Sequence, residues 1–140
     1  MAFIQNSEYS GRSETASAIT PAIFILDDTH PRASIVHIFG EATFADTAQL
    51  ESMIVGAIRI GRPIVIDLRE CRYMDCAAIG VVVRAAKNLR ELLRLAVPRA
   101  SQAYRMLDMT GLVRVLHVFE TLDDAIAPPN TKPVATLRSV

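Results

Sequence analysis

Cys76, directly after Asp75, is the pair of neighbouring residues in this chain whose types most readily suggest chemistry. A thiol at the start of a helix can be drawn toward its thiolate by the orphan amides of the first turn. The adjacent carboxylate opposes that ionisation, and no histidine neighbours Cys76 in sequence to act as a base. Cys76 therefore reads as a small packing residue in the first instance, and only in the second as a redox sensor or nucleophile. Asp75 reads as an N-cap whose carboxylate accepts hydrogen bonds from the first-turn amides, because the following residues place Ile79, Val82, Val83 and Ala86 on one helical face.

The other residues that might do chemistry do not assemble in sequence. Cys71 lies five positions before Cys76, a spacing that makes no metal pair by itself, and the three histidines, His30, His37 and His117, are scattered. There is no glycine-rich phosphate loop, no paired catalytic carboxylates and no Ser/His/Asp order. An enzyme is the weakest class, and no cofactor or metal is expected.

The elements around Cys76 form the clearest part of the chain. Ile64-Val65-Ile66-Asp67-Leu68 is a β-branched run of the kind buried on both faces of a sheet. Arg69 to Met74 reads as a short mixed loop, and the Asp75-capped helix follows. This order sets Cys76 and Ala77 at the carboxyl end of a strand, where open α/β folds meet ligands and partners. Arg69, Glu70 and Arg72 read as a solvated charged loop first and as partner contacts second.

Tyr73-Met74-Asp75-Cys76-Ala77-Ala78-Ile79-Gly80-Val81 resembles the signature of STAS domains, the family that includes bacterial anti-sigma-factor antagonists. There the motif runs roughly aromatic, hydrophobic, Asp, Ser, Ser or Ala, Gly, Leu, Gly, and in regulated members the serine after the Asp is phosphorylated. Gly40-Glu41 and Leu107-Asp108-Met109-Thr110-Gly111-Leu112 match in family order, so the resemblance spans about residues 22 to 127. It departs where regulation acts. Cys76 occupies the phosphorylatable position, Ala77 and Ala78 follow it, and no serine or threonine occurs from Met53 to Ala100.

The resemblance implies a non-catalytic module that binds a protein through Asp75, Cys76, Ala77 and Ala78, with Arg69 and Arg72 nearby. The implied partner is an anti-sigma factor or related serine kinase, giving a role in transcription. The alternative it implies is a cytosolic STAS subunit of a lipid or solute ABC transporter, docked on an ATPase subunit.

Composition agrees with a protein-binding role. At 140 residues and 51% hydrophobic the chain is one domain with its own core, and the mean hydropathy is +0.27. Fifteen basic and fifteen acidic residues leave no net charge to attract nucleic acid or anionic lipid. The longest apolar runs fall far below the ~18 residues of a membrane span. No signal-peptide pattern opens the chain, so a reducing cytoplasm is the expected compartment.

In order along the chain, residues 1–20 read as a flexible tail, 21–127 as the domain and 128–140 as a second tail. Ile23 to Leu26 and Ala33 to Phe39 make an antiparallel hairpin around the turn formers Asp27-Asp28-Thr29-His30-Pro31. Asp46 or Thr47 caps a helix with Leu50, Ile54 and Ile58 inside and Met53 and Ala57 beside them, and Gly56 in that helix marks a close approach. Leu92 to Val97 is a strand, and Arg99 to Met109 a helix with Met106 and Met109 in the core, stopped by a left-handed Gly111. Val113 to Phe119 is the last strand and Leu122 to Ala127 the last helix. Strand and helix alternate from residue 33, which predicts an α/β fold: a single mixed, mostly parallel sheet with an N-terminal hairpin and helices packed on it.

Overall fold

The computed structural model describes residues 21–128. Both expected tails, apart from Pro128, lie outside the described residues.

β1 (Ile23–Asp27) and β2 (Ser34–Ala42) form the antiparallel hairpin, with Ile25 opposite His37. Its connection begins with an aspartate turn, in which Asp27 Oδ1 accepts the Thr29 amide at 2.9 Å and the Thr29 hydroxyl at 2.6 Å. β3 (Ile64–Asp67) pairs in parallel with β2 on one side and with β5 (Leu93–Ala96) on the other, and all four of its residues are buried. β6 (His117–Phe119) completes the order β1-β2-β3-β5-β6.

β2 is longer than its side-chain pattern suggests. It runs past β3 through Gly40, whose φ of 89° is open to glycine without strain, and the ladder shifts register between Gly40 and Glu41. Its overrunning edge is met by β4 (Cys71–Met74), which pairs with Gly40 to Ala42. The loop expected over Arg69 to Met74 is therefore a turn followed by a strand, and Cys71 is a buried strand residue. The strand is set by backbone demand: β2 would otherwise leave its N–H and C=O groups unpaired.

α1 (Thr47–Ala57), α2 (Cys76–Leu89) and α3 (Gln102–Met109) pack on one face of the sheet, where Leu50, Ile54, Ile79 and Val82 meet Val36, Ile66 and Leu95. The alternate strand residues Ile35, Val65 and Ala96 form a smaller cluster on the opposite face, covered by α4 (Leu122–Ile126). Tight alternation of the strand side chains thus divides the core into two layers.

Several local expectations are corrected. α1 stops at Ala57, so Ile58 turns into extended backbone and is 46% exposed, and Ala57 takes the buried position beside Leu50 and Ile54. Asp46 makes no cap bond to α1. It closes a capping box with Thr43 around the 3-10 turn Phe44–Asp46, accepting the Thr43 amide at 2.8 Å. A Cβ on Gly56 would meet nothing within 4 Å, so that glycine marks no close approach. α3 starts at Gln102, where Ser101 Oγ caps the Tyr104 amide at 3.1 Å, and its final residue Met109 points outward, 81% exposed, because it lies two positions past the buried Leu107. Gly111 is left-handed as expected (φ 79°), but the chain then makes a 3-10 turn over Leu112–Arg114 that sinks Val113 into the core, leaving a last strand of three residues.

Candidate functional site

β4 delivers the chain to the start of α2 at the carboxyl end of the sheet. Asp75 takes an extended N-cap conformation, and its Oδ1 accepts the Ala78 amide at 2.9 Å. Its Oδ2 accepts the Phe44 amide, also at 2.9 Å. The cap expected from sequence is present, and the same carboxylate ties the first turn of α2 to the loop that leads into α1.

Cys76 is exposed, and Ala77 beside it is exposed as well. This overturns the packing reading of Cys76. The buried stripe of α2 begins at Ala78 and Ile79 and continues through Val81 and Val82, so the two residues before it fall on the outer side of the first turn. Ala78, for the same reason, is fully buried and stands apart from the surface group. Arg72 and Tyr73 are exposed on β4.

Phe44 is the residue that sequence reading missed. It is 73% exposed and sits at the first position of the 3-10 turn held against α2 by Asp75. Thr43 and Asp46, in capping-box spacing, were the available signal: they place an aromatic side chain in the first turn of a surface helix.

Arg69 serves a different cluster. Asp67, at the end of β3, is 3% exposed and accepts Arg69 Nε at 2.8 Å, Arg69 Nη2 at 2.9 Å and the Arg69 amide at 3.1 Å. His37 Nδ1 lies 2.7 Å from Asp67 Oδ2, opposite it in the parallel ladder. Burial alone would raise the Asp67 carboxyl, but the bonds from Arg69 and His37 outweigh it and hold it below the ordinary aspartate range. Arg69 is correspondingly raised, first by its hydrogen bonds to Asp67. This trio is a clamp on the turn between β3 and β4.

Cys71 is 3% exposed, and burial pushes its thiol up. Both cysteines are free. Among the described residues no group of three His, Cys, Asp or Glu side chains is placed to hold a metal ion, and no helix is long and apolar enough to cross a membrane. What the end of the sheet offers is a small, mostly apolar surface, Phe44, Cys76 and Ala77, at a helix start that Asp75 caps and ties to the Phe44 loop.

The fold recurs in solved structures. An anti-sigma factor antagonist from Mycobacterium paratuberculosis aligns with a TM-score of 0.66 and 22% identity over 75% of this chain and 91% of its own. A putative anti-sigma factor antagonist from Thermotoga maritima gives 0.55 and 18% over 74% and 89%. A sulfate transporter family protein from Wolinella succinogenes gives 0.53 and 18% over 66% and 80%. No curated protein matches the chain significantly. The sequence pattern of the STAS domain matches residues 25–125; with the six-stranded mixed sheet and the Asp75-capped helix in their places, the chain belongs to the STAS domain family.

Proposed function

We propose that this chain is a non-catalytic binding module that docks an anti-sigma factor or related serine kinase at the start of α2 and thereby acts on transcription. The observation that carries the proposal is the exposed Cys76–Ala77 step on a helix start that Asp75 pins beside the exposed Phe44. An apolar, preorganised patch loses little freedom on binding and gains from excluding water. Arg72 adds a charged contact at its border.

Cys76 makes the binding insensitive to serine phosphorylation at this position. A phosphoserine brings about two negative charges and would expel a partner by repulsion and desolvation. A thiol cannot take that modification from a serine kinase, so the module stays competent to bind. A second reading makes the chain a STAS subunit of a lipid or solute ABC transporter, with the same surface docked on the ATPase subunit; behind it stands the likeness of fold to a protein of a transporter family, which bears on the fold and not on the ATPase.

Capture of the tagged chain from cells of its source, followed by mass spectrometry, tests both readings. The expected result is enrichment of an anti-sigma factor by the wild type and by Cys76→Ser, and its loss with Cys76→Glu. Enrichment of a transporter ATPase in the same pattern favours the second reading. Equal enrichment by all three chains contradicts the placement of the surface.

A further inference from the structure

A second surface lies on the same helix pair, at the opposite end from Cys76. α1 and α2 follow strands that run parallel to one another, so the two helices lie side by side in the same direction. Between their C-terminal halves is an open groove of about 200 Å³. Ile54 and Val81, both nearly fully buried, form its floor, while Val55, 62% exposed, and Ile58 form one wall and Ala85 and Leu89 the other. From Ala77 to Ala85 is eight helical residues, roughly 12 Å along the axis, so the groove does not share the Cys76 surface.

The rims of this groove carry opposite charges. Glu51 stands on the α1 side and Arg84 on the α2 side. The Arg84 guanidinium lies back along its own helix, with Nη1 3.6 Å from where a Cβ on Gly80 would stand. Among the described residues neither Glu51 nor Arg84 takes part in an ion pair.

We infer that the groove is a docking site for an amphipathic helix of a partner protein, one with apolar anchors at i and i+3 or i+4 flanked by a basic residue on one edge and an acidic residue on the other. Size and polarity set the anchors: an apolar cavity of roughly 150 Å³ accepts a benzene ring, so this space takes one or two large aliphatic side chains. Backbone chemistry selects the helix. The walls are mostly helix flanks, whose N–H groups are used within each helix and which present no row of free donors and acceptors as a strand edge does, so an extended strand laid here would lose its water without a ladder to join, whereas a helix brings its own hydrogen bonds. The rim charges select the flanks, since a basic group over Glu51 and an acidic group over Arg84 complete both pairs.

Synthetic helical peptides test this without the partner of the Cys76 surface. Three peptides share leucines at i, i+3, i+4 and i+7 and carry Lys/Glu, Lys/Lys or Glu/Glu flanks; each is titrated against the full chain by fluorescence anisotropy. The mixed peptide, free to lie in the direction that sets its Lys over Glu51 and its Glu over Arg84, is expected to bind best, by about threefold over either uniform peptide. Glu51→Lys should move the preference to the Glu/Glu peptide, and Arg84→Glu to the Lys/Lys peptide. Val55→Asp, at a largely exposed position, should abolish binding with an unchanged melt. Absence of saturable binding at millimolar peptide, binding indifferent to Val55→Asp, or a flank preference that ignores both charge reversals overturns the inference. So does a chain that sediments as a dimer through this face and reverts to monomer with Val55→Asp.

Discussion

Asp75 holds Phe44 and Ala78 at once, each by a backbone amide donating to its carboxylate at 2.9 Å, across a separation of 31 residues on the Phe44 side. An N-cap is ordinarily local. Here it also fixes the β2–α1 loop, so the side chain that starts the helix orients the aromatic beside it. Asp75→Ala should cost about 1 kcal/mol, the loss of the cap, since the Phe44 amide is exposed and water can replace its bond. Asp75→Asn, which keeps an acceptor for one of the two amides, should cost less. Urea unfolding gives the magnitudes, and hydrogen exchange should show faster loss of protection at both the Phe44 and Ala78 amides in the alanine variant. Faster exchange at Ala78 alone would mean that the long-range bond is not formed in solution.

The two cysteines should separate under native alkylation. Cys76 is exposed, while Cys71 is buried and its thiol is pushed up by that burial. One equivalent of iodoacetamide per chain should react readily, mapping to Cys76, and the second only on unfolding. Equal labelling of the two would contradict the placement of Cys71 on a buried strand.

Asp67 should give the fold a component of stability that disappears in acid. Its folded pKa lies below its unfolded value, so the contribution is fully present above the ordinary aspartate pKa of about 3.9 and is lost as pH falls through the lower folded value. Arg69→Ala should cost about 1–3 kcal/mol near neutrality by leaving a buried carboxylate short of its donors. Asp67→Asn should flatten the acid limb of stability against pH. Melts from pH 6 down to pH 2 measure this, and identical acid limbs for wild type and Asp67→Asn would show that the carboxylate is not held low.

Where side-chain periodicity dictates structure, the sequence was readable. The β-branched run of β3, the hairpin around Asp27-Asp28-Thr29, and the Asp75 cap all lie where local pattern places them. β4 was not readable, because Cys71–Met74 becomes a strand only to satisfy the overrunning edge of β2. Cys76 and Ile58 were misjudged for a related reason. Each stands at the boundary of a helix, where one residue decides whether the buried stripe includes it. The Asp67, His37 and Arg69 clamp needs the parallel register of β2 on β3, which brings residues 30 apart to 2.7 Å and leaves no mark in either segment alone. The family motif pointed to the Asp75–Cys76 surface, but Phe44 joins it only through a hydrogen bond that crosses from one helix start to another.

Calorimetric titration of the chain with its captured partner, for wild type, Cys76→Ser and Cys76→Asp, tests the binding surface most directly. A helix N-terminus accommodates an anion, so both variants should melt close to the wild type. The account predicts that Cys76→Ser binds nearly as well as the wild type, and that Cys76→Asp, by setting a charge in an apolar contact, weakens binding by at least about tenfold. Undiminished affinity in a folded Cys76→Asp chain would contradict the account and put the interface elsewhere on the domain.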